Sequence, residues 1–149
     1  VCAERLEGYR DAVRDLMLPV DGRYTRFLCN GSEDGAEIMA NFMALPKGER
    51  PTAVLCYDDA AAASAIRQAI GMGIRVPEDV SVMGFDNQTI PPNGYRGPAI
   101  TSVSQPLFEI GFDSILLLSR YLRGDRGERI TRTYATSIAE KESVAECRG

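Results

Sequence analysis

Histidine is missing from all 149 residues. With it go the Ser-His-Asp and Cys-His nucleophile systems of the usual kind and any imidazole metal ligand. Positive charge is in the minority, 17 basic residues against 21 acidic, and a net charge of -4 repels phosphate backbones. This chain by itself is therefore not expected to read nucleic acid. The four cysteines, Cys2, Cys29, Cys56 and Cys147, contain no Cys-x-x-Cys pair, which excludes a zinc ribbon and a thioredoxin-like motif. Cys29 and Cys56 sit in apolar runs and read as buried free thiols suited to a reducing compartment. No uncharged stretch reaches the roughly 18 residues that would span a bilayer, and Val1-Cys2-Ala3-Glu4-Arg5 is no signal peptide. The expected setting is the cytoplasm. The first residue is not methionine, and the expectation is a chain taken from a longer one. What is present, 44% hydrophobic and 26% charged residues, describes one globular domain or a piece of one, able to bury about two-thirds of its unfolded surface.

The hydrophobic period alternates between helical and extended, which predicts an α/β layer fold with a mainly parallel sheet and helices on both faces. Leu6, Tyr9, Val13, Leu16 and Met17 recur at helical spacing from Glu4 to about Leu18, where Pro19 stops them. Tyr24 to Cys29 is a short strand candidate. A second helix is expected from about Asp34 to Leu45, striped by Ile38, Met39, Phe42 and Met43. Thr52 to Tyr57 is a continuous apolar run, as expected of a strand buried on both faces. An alanine-rich helix follows from Ala60 to Ile70 and ends at Gly71-Met72-Gly73, which reads as a helix stop and not as a dinucleotide fingerprint. Val80 to Phe85 and Thr101 to Ser104 are further strands, separated by a loop rich in proline and glycine between Asn87 and Pro98. Pro106 opens a helix to about Leu122, with Leu107, Ile110, Leu117, Leu118 and Tyr121 on one stripe. Ile115 and Leu116 lie partly off it, so this helix is expected to be covered on two sides, one of them a possible partner surface. Arg129 to Ile138 alternates like a last, partly exposed strand. The arginines at 120, 123, 126, 129 and 132 are interrupted by Asp125 and Glu128 and read as a solvated rim.

Open α/β sheets place their ligand groups at the carboxyl ends of strands, and three carboxylates, Asp58, Asp59 and Asp86, fall there. One of the first two suits the N-cap of the following helix, which leaves the other to face a ligand. Asp86 can accept hydrogen bonds or close a turn on its own backbone, and Asn87 adds an amide beside it. Arg5, between Glu4 and Glu7, would by itself be a surface ion pair. Such groups can hold vicinal hydroxyls bidentately, bind a metal, or act as acid and base, and the residues alone do not choose among these.

The stretch Arg75-Val76-Pro77-Glu78-Asp79-Val80-Ser81-Val82-Met83-Gly84-Phe85-Asp86-Asn87 resembles a segment of LacI/GalR-family transcriptional regulators. Arg5-Leu6-Glu7-Gly8-Tyr9-Arg10 looks like that family's first helix of the second lobe, Pro51 to Asp59 like its strand ending in a polar pair, and Ile100 to Pro106 like its Thr-Thr-x-x-Gln-Pro turn. The likeness runs from about residue 4 to 143. It implies a lobe of the periplasmic-binding-protein type (type I), with residues 1–149 forming the C-terminal lobe of an effector-binding domain and with the DNA-binding segment and N-terminal lobe absent. It implies effector contacts at Arg5, Asp58, Asp86 and Gln105, with Asp59 left as the helix cap. Asn30 stands where relatives often carry a stacking aromatic, which favours a polar, sugar-like effector.

No cofactor is implied. The implied partners are a small-molecule effector, a second copy of the chain through the Pro91 to Pro98 loop and neighbouring helices, and operator DNA only through the missing segment, with no membrane. The implied mechanism is allosteric: effector binding re-sets the lobes and biases the DNA-binding heads of the dimer. A periplasmic sugar-binding protein of a transporter is the nearest alternative, and a Mg-dependent enzyme or phosphoacceptor a more distant one. The latter is disfavoured because the two lysines, Lys47 and Lys141, lie far in sequence from the strand ends.

Overall fold

The computed structural model describes residues 2–18, 21–26, 34–88, 95–125, 127 and 130–146, apart from the side chains of Cys2 and Asp34. In chain order the regular elements are α1 (Cys2–Asp15), α2 (Asp34–Met43), β1 (Ala53–Leu55), α3 (Asp59–Gly71), β2 (Ser81–Phe85), β3 (Thr101–Ser104), α4 (Leu107–Leu122) and β4 (Ser137–Ala139). Short 3-10 turns occupy Gly22–Tyr24 and Lys47–Glu49. The strands form one sheet in the order β1-β2-β3-β4. The first three run parallel, with Ala53 opposite Ser81 and Met83 opposite Thr101, and β4 is antiparallel to β3, with Val103 opposite Ile138. This is the mainly parallel α/β layer that the periodicity predicts.

Alternation along β2 sorts its side chains onto two faces. Val82 and Gly84 are buried toward α3, while Phe85 lies on the opposite face under Arg5 of α1. The core fills the first face. Met39, Phe42 and Met43 of α2 pack with Ala62, Ile66 and Ala69 of α3 and with Val80 and Val82. The alanine run of α3 presents little side-chain bulk, so α2 can lie close along it. The helix stops as expected, with Met72 as C-cap and Gly73 at φ +75, a left-handed position that glycine occupies without steric cost.

Four expectations are corrected. Within the run from Thr52 to Tyr57, Leu55 is 55% exposed and Ala53 also faces solvent. β1 is the outer strand of the described sheet, so only the side carrying Val54 and Cys56 reaches the core. Tyr24 closes a 3-10 turn instead of opening a strand, because the Asp21 carboxylate accepts from the backbone N–H and Nε of Arg23 and tightens the chain locally. The remainder of that candidate, residues 27–29, lies outside the described residues. The last strand is confined to Ser137–Ala139. Upstream of it Tyr134 donates to Asp113 at 2.7 Å and Arg132 approaches the same carboxylate, so side chains tether this stretch to α4 in place of a ladder. Finally, α4 has no buried residue, and Phe108 is 79% exposed. The two-sided cover expected for it does not come from the described part of this chain.

The solvated reading of the arginines fits where they are described. Arg120 pairs with Asp125 and Arg132 with Asp113, and both arginines are more than half exposed. Arg126 and Arg129 are outside the described residues.

Gly84 is held to glycine by contact. A Cβ there would collide with Oδ1 of Asp59, a carboxylate pinned on two sides by hydrogen bonds. Gly84→Ala is expected to cost about 2 kcal/mol or more through overpacking. Urea denaturation checks this, and an unchanged midpoint would mean that the carboxylate moves freely.

Candidate functional site

Because β1, β2 and β3 are parallel, the residues that follow them emerge along one edge of the sheet. After β1 the carbonyl of Tyr57 accepts a hydrogen bond from Nη1 of Arg5 at 2.6 Å. After β2 comes Asp86, and after β3 comes Gln105, whose Nε2 donates to Asp86 Oδ1 at 2.6 Å. Arg5 Nη2 stands 3.9 Å from the same Asp86 oxygen. The Arg5 guanidinium sits over Phe85, its Cζ 3.4 Å from the ring centroid, a cation-π arrangement that helps hold the donors in place. Arg5, Asp86 and Gln105 thus come from three separated segments and meet at one point.

The Arg5 and Asp86 side chains remain about one-third exposed, at 30% and 33%, so an incoming molecule can reach them. Asp86 Oδ2 has no hydrogen-bond partner among the described residues. A carboxylate acceptor beside guanidinium and amide donors is the complement of a hydroxyl-rich molecule. Among the described residues Asp86 makes no bond that closes a turn on its own backbone; its N–H donates to the carbonyl of Val103 and its carboxylate points to Gln105 and Arg5.

The cap that the family resemblance leaves to Asp59 is taken by Asp58. Asp58 is the helix cap: its backbone is extended at φ -151, and its Oδ1 accepts from the N–H of Ala61 at 2.7 Å. Asp59 is 4% exposed and turned inward, with Oδ1 accepting from the hydroxyl of Ser102 and Oδ2 from the N–H of Gln88, both at 2.6 Å. The bonding geometry decides the matter, since the cap position is the one three residues before the N–H it satisfies. Asn30 lies outside the described residues. With one aspartate capping a helix and the other committed to two internal donors, the pair is not presented as a metal-binding face.

Three participants escape the sequence reading. The Tyr57 carbonyl is invisible to it because any residue type supplies one. Phe85 was available as a signal, an aromatic directly before Asp86 at a strand end, but its pairing with Arg5 needs the fold. Ser102 looks like one more small residue of β3 until Asp59 is seen against it.

A cavity of about 540 Å³ opens beside this cluster between α1, α2 and β1, with Arg5, Phe85, Phe42 and Cys56 among its walls. Burial, reinforced by the nearby Asp58 and Asp59 charges, pushes the Cys56 thiol up to about 12.

The periplasmic binding protein-like domain family matches residues 2–144. The chain belongs to that family. It is 38% identical over 124 residues to the transcriptional repressor CytR of Escherichia coli K12, covering 83% of this chain and 35% of that protein. It is 30% identical over 145 residues to the repressor PurR of Vibrio cholerae, covering 97% of this chain and 42% of that protein. In three dimensions it is similar to a LacI family transcriptional regulator from Enterococcus faecium with bound ribose, at TM-score 0.80 and 26% identity, over 97% of this chain and 52% of that one. The chain therefore spans between about a third and a half of the length of these relatives. All of them are transcriptional regulators, which favours the repressor over the transporter alternative. No helix among the described residues is long and apolar enough to cross a membrane.

The raised Cys56 value has a direct readout. At pH 8 its alkylation, followed by mass spectrometry of the peptide bearing it, is expected to be about a thousandfold slower than that of an ordinary thiol, through thiolate fraction alone. Because the folded value lies above the ordinary one, the associated stability is complete below about pH 9.0 and fades as pH rises toward about 12. Rapid alkylation at pH 8 would contradict this placement.

Proposed function

We propose that this chain is the C-terminal lobe of the effector-binding domain of a LacI-type repressor, and that Arg5, Asp86 and Gln105 hold a small polyhydroxylated effector, sugar chemistry being what their donors and acceptors match. The convergence of Arg5 from α1 and Gln105 from just after β3 on one oxygen of Asp86, which follows β2, carries the proposal. Asp58, whose second carboxylate oxygen is not used by the cap, and Asn30 are proposed as further contacts. Ribose in the Enterococcus faecium regulator and cellobiose in the CelR complex, similar at 29% identity and TM-score 0.80, support a sugar as the effector class.

In this reading no bond is made or broken, and no cofactor is used. Effector binding stabilises one arrangement of this lobe against the rest of a longer, cytoplasmic protein, and the bias reaches operator DNA through a DNA-binding segment beyond this chain. The bare apolar surface of α4, with Phe108, Phe112, Ile115 and Leu122 all well exposed, is proposed to be covered in that longer protein. Self-association through this lobe makes the repressor a homodimer. Half of the Pro91 to Pro98 loop assigned to that contact, residues 91–94, lies outside the described residues.

Calorimetry on the intact two-lobed protein with ribose, glucose, sucrose and cellobiose tests the effector site. Arg5→Ala and Asp86→Ala are each expected to weaken binding about 10- to 100-fold, the usual range for losing a hydrogen bond to a charged group. Affinities unchanged in both variants would refute the assignment. This chain alone, with half of its cleft open to water, is expected to bind the same sugars weakly or not at all. For the dimer, light scattering of the chain at high concentration should return about twice its 16.3 kDa, and a strictly monomeric mass would count against this surface.

A further inference from the structure

Asp59 is the one buried carboxylate described, and the effector site does not use it directly. We propose that Asp59 is a positioning residue that sets the orientation of Asp86; the proposal rests on the effector-binding reading of Asp86. Asp86 and Asn87 lie at φ +90 and +47, two consecutive non-glycine residues in the left-handed region that L side chains rarely adopt. Something must hold them there. Asp86 is tied by its N–H to the Val103 carbonyl at 2.9 Å. Asn87 donates its N–H to Ser102 Oγ at 2.9 Å, and Gln88 donates its N–H to Asp59 Oδ2 at 2.6 Å. The Ser102 hydroxyl completes the circuit by donating to Asp59 Oδ1 at 2.6 Å.

Two of the three backbone donors of this turn, those of Asn87 and Gln88, therefore end on Asp59, directly or through Ser102. An ionised carboxylate accepts such bonds more strongly than a neutral group and justifies its burial only when both oxygens are satisfied, as they are here. Asn87 is fastened outside the circuit as well, its Nδ2 donating to Ser104 Oγ and its Oδ1 accepting from Lys141 Nζ. Asp59 sits on the face of β2 that carries Gly84, under the sheet edge, and has no access to a ligand. Its influence on binding must pass through the backbone of residues 86–88.

The test uses Asp59→Asn and Ser102→Ala in the intact protein, alone and combined with Asp86→Ala. An amide keeps one acceptor oxygen for two donors, so Asp59→Asn is expected to weaken sugar binding about tenfold, with Ser102→Ala in the same direction. In the Asp86→Ala background neither should cost more than about twofold, because the route is already cut. Losses that simply add would overturn the proposal, as would wild-type affinity in both variants. Val76→Ala, a core change remote from the turn, controls for general destabilisation and should leave affinity unchanged. A ligand-free measurement separates this idea from the functional reading. Backbone ¹³C shifts of residues 86 and 87 should report left-handed geometry in the chain itself and lose it in Asp59→Asn, or in Ser102→Ala if the former does not fold. Retained left-handed shifts in a folded variant would overturn the proposal. Loss of those shifts with no sugar binding by the wild-type protein would leave the positioning role standing and remove the effector assignment.

Discussion

Parallel pairing of three strands is the constraint on which the rest depends. In a parallel sheet each strand delivers its carboxyl end to the same edge, whatever the length of chain between strands. Tyr57, Asp86 and Gln105 become neighbours for that reason alone, although tens of residues separate the first two. α1 then needs to supply only one side chain. Arg5 reaches across to a carbonyl after β1, an aromatic at the end of β2 and the carboxylate beyond it. Remove the shared direction of the strands and these contacts have no common locus.

The edge separates two kinds of carboxylate. Asp86 is partly solvated and keeps an oxygen without an internal partner among the described residues, so it can exchange water for a ligand hydroxyl at small net cost. Asp59, one residue into α3, is enclosed and fully bonded, so it cannot make that exchange. Neighbouring strand ends thus carry the same residue type in opposite service, one kept available and the other spent on holding backbone in place.

Much of this was legible in the amino-acid order. Helix periodicity located α1, α2 and α3 to within a few residues, since each buries or presents a stripe that repeats at helical spacing, and the β2 and β3 runs were bounded by turn chemistry. Arg5, Asp86 and Gln105 were named from the resemblance to LacI-type regulators, and the geometry brings them together. The misreadings have local causes. An apolar run such as that of β1 does not reveal whether a neighbour lies on its outer edge. Two adjacent aspartates before a helix look equivalent until backbone direction assigns the cap to Asp58. Apolar residues spread around α4 predict two-sided cover, which the described part of this chain does not supply.

The close fit between Gly84 and Asp59 ties the histories of two distant positions. A side chain at 84 has room only if the acid at 59 shrinks or leaves, and an acid at 59 finds this berth only opposite a bare α-carbon. Neither position can drift alone without damage to the turn above them. Among descendants of a common ancestor the pair should be inherited or abandoned as a unit, so that a change at one of them marks a lineage in which that turn, and with it the exposed acid it carries, has been rebuilt.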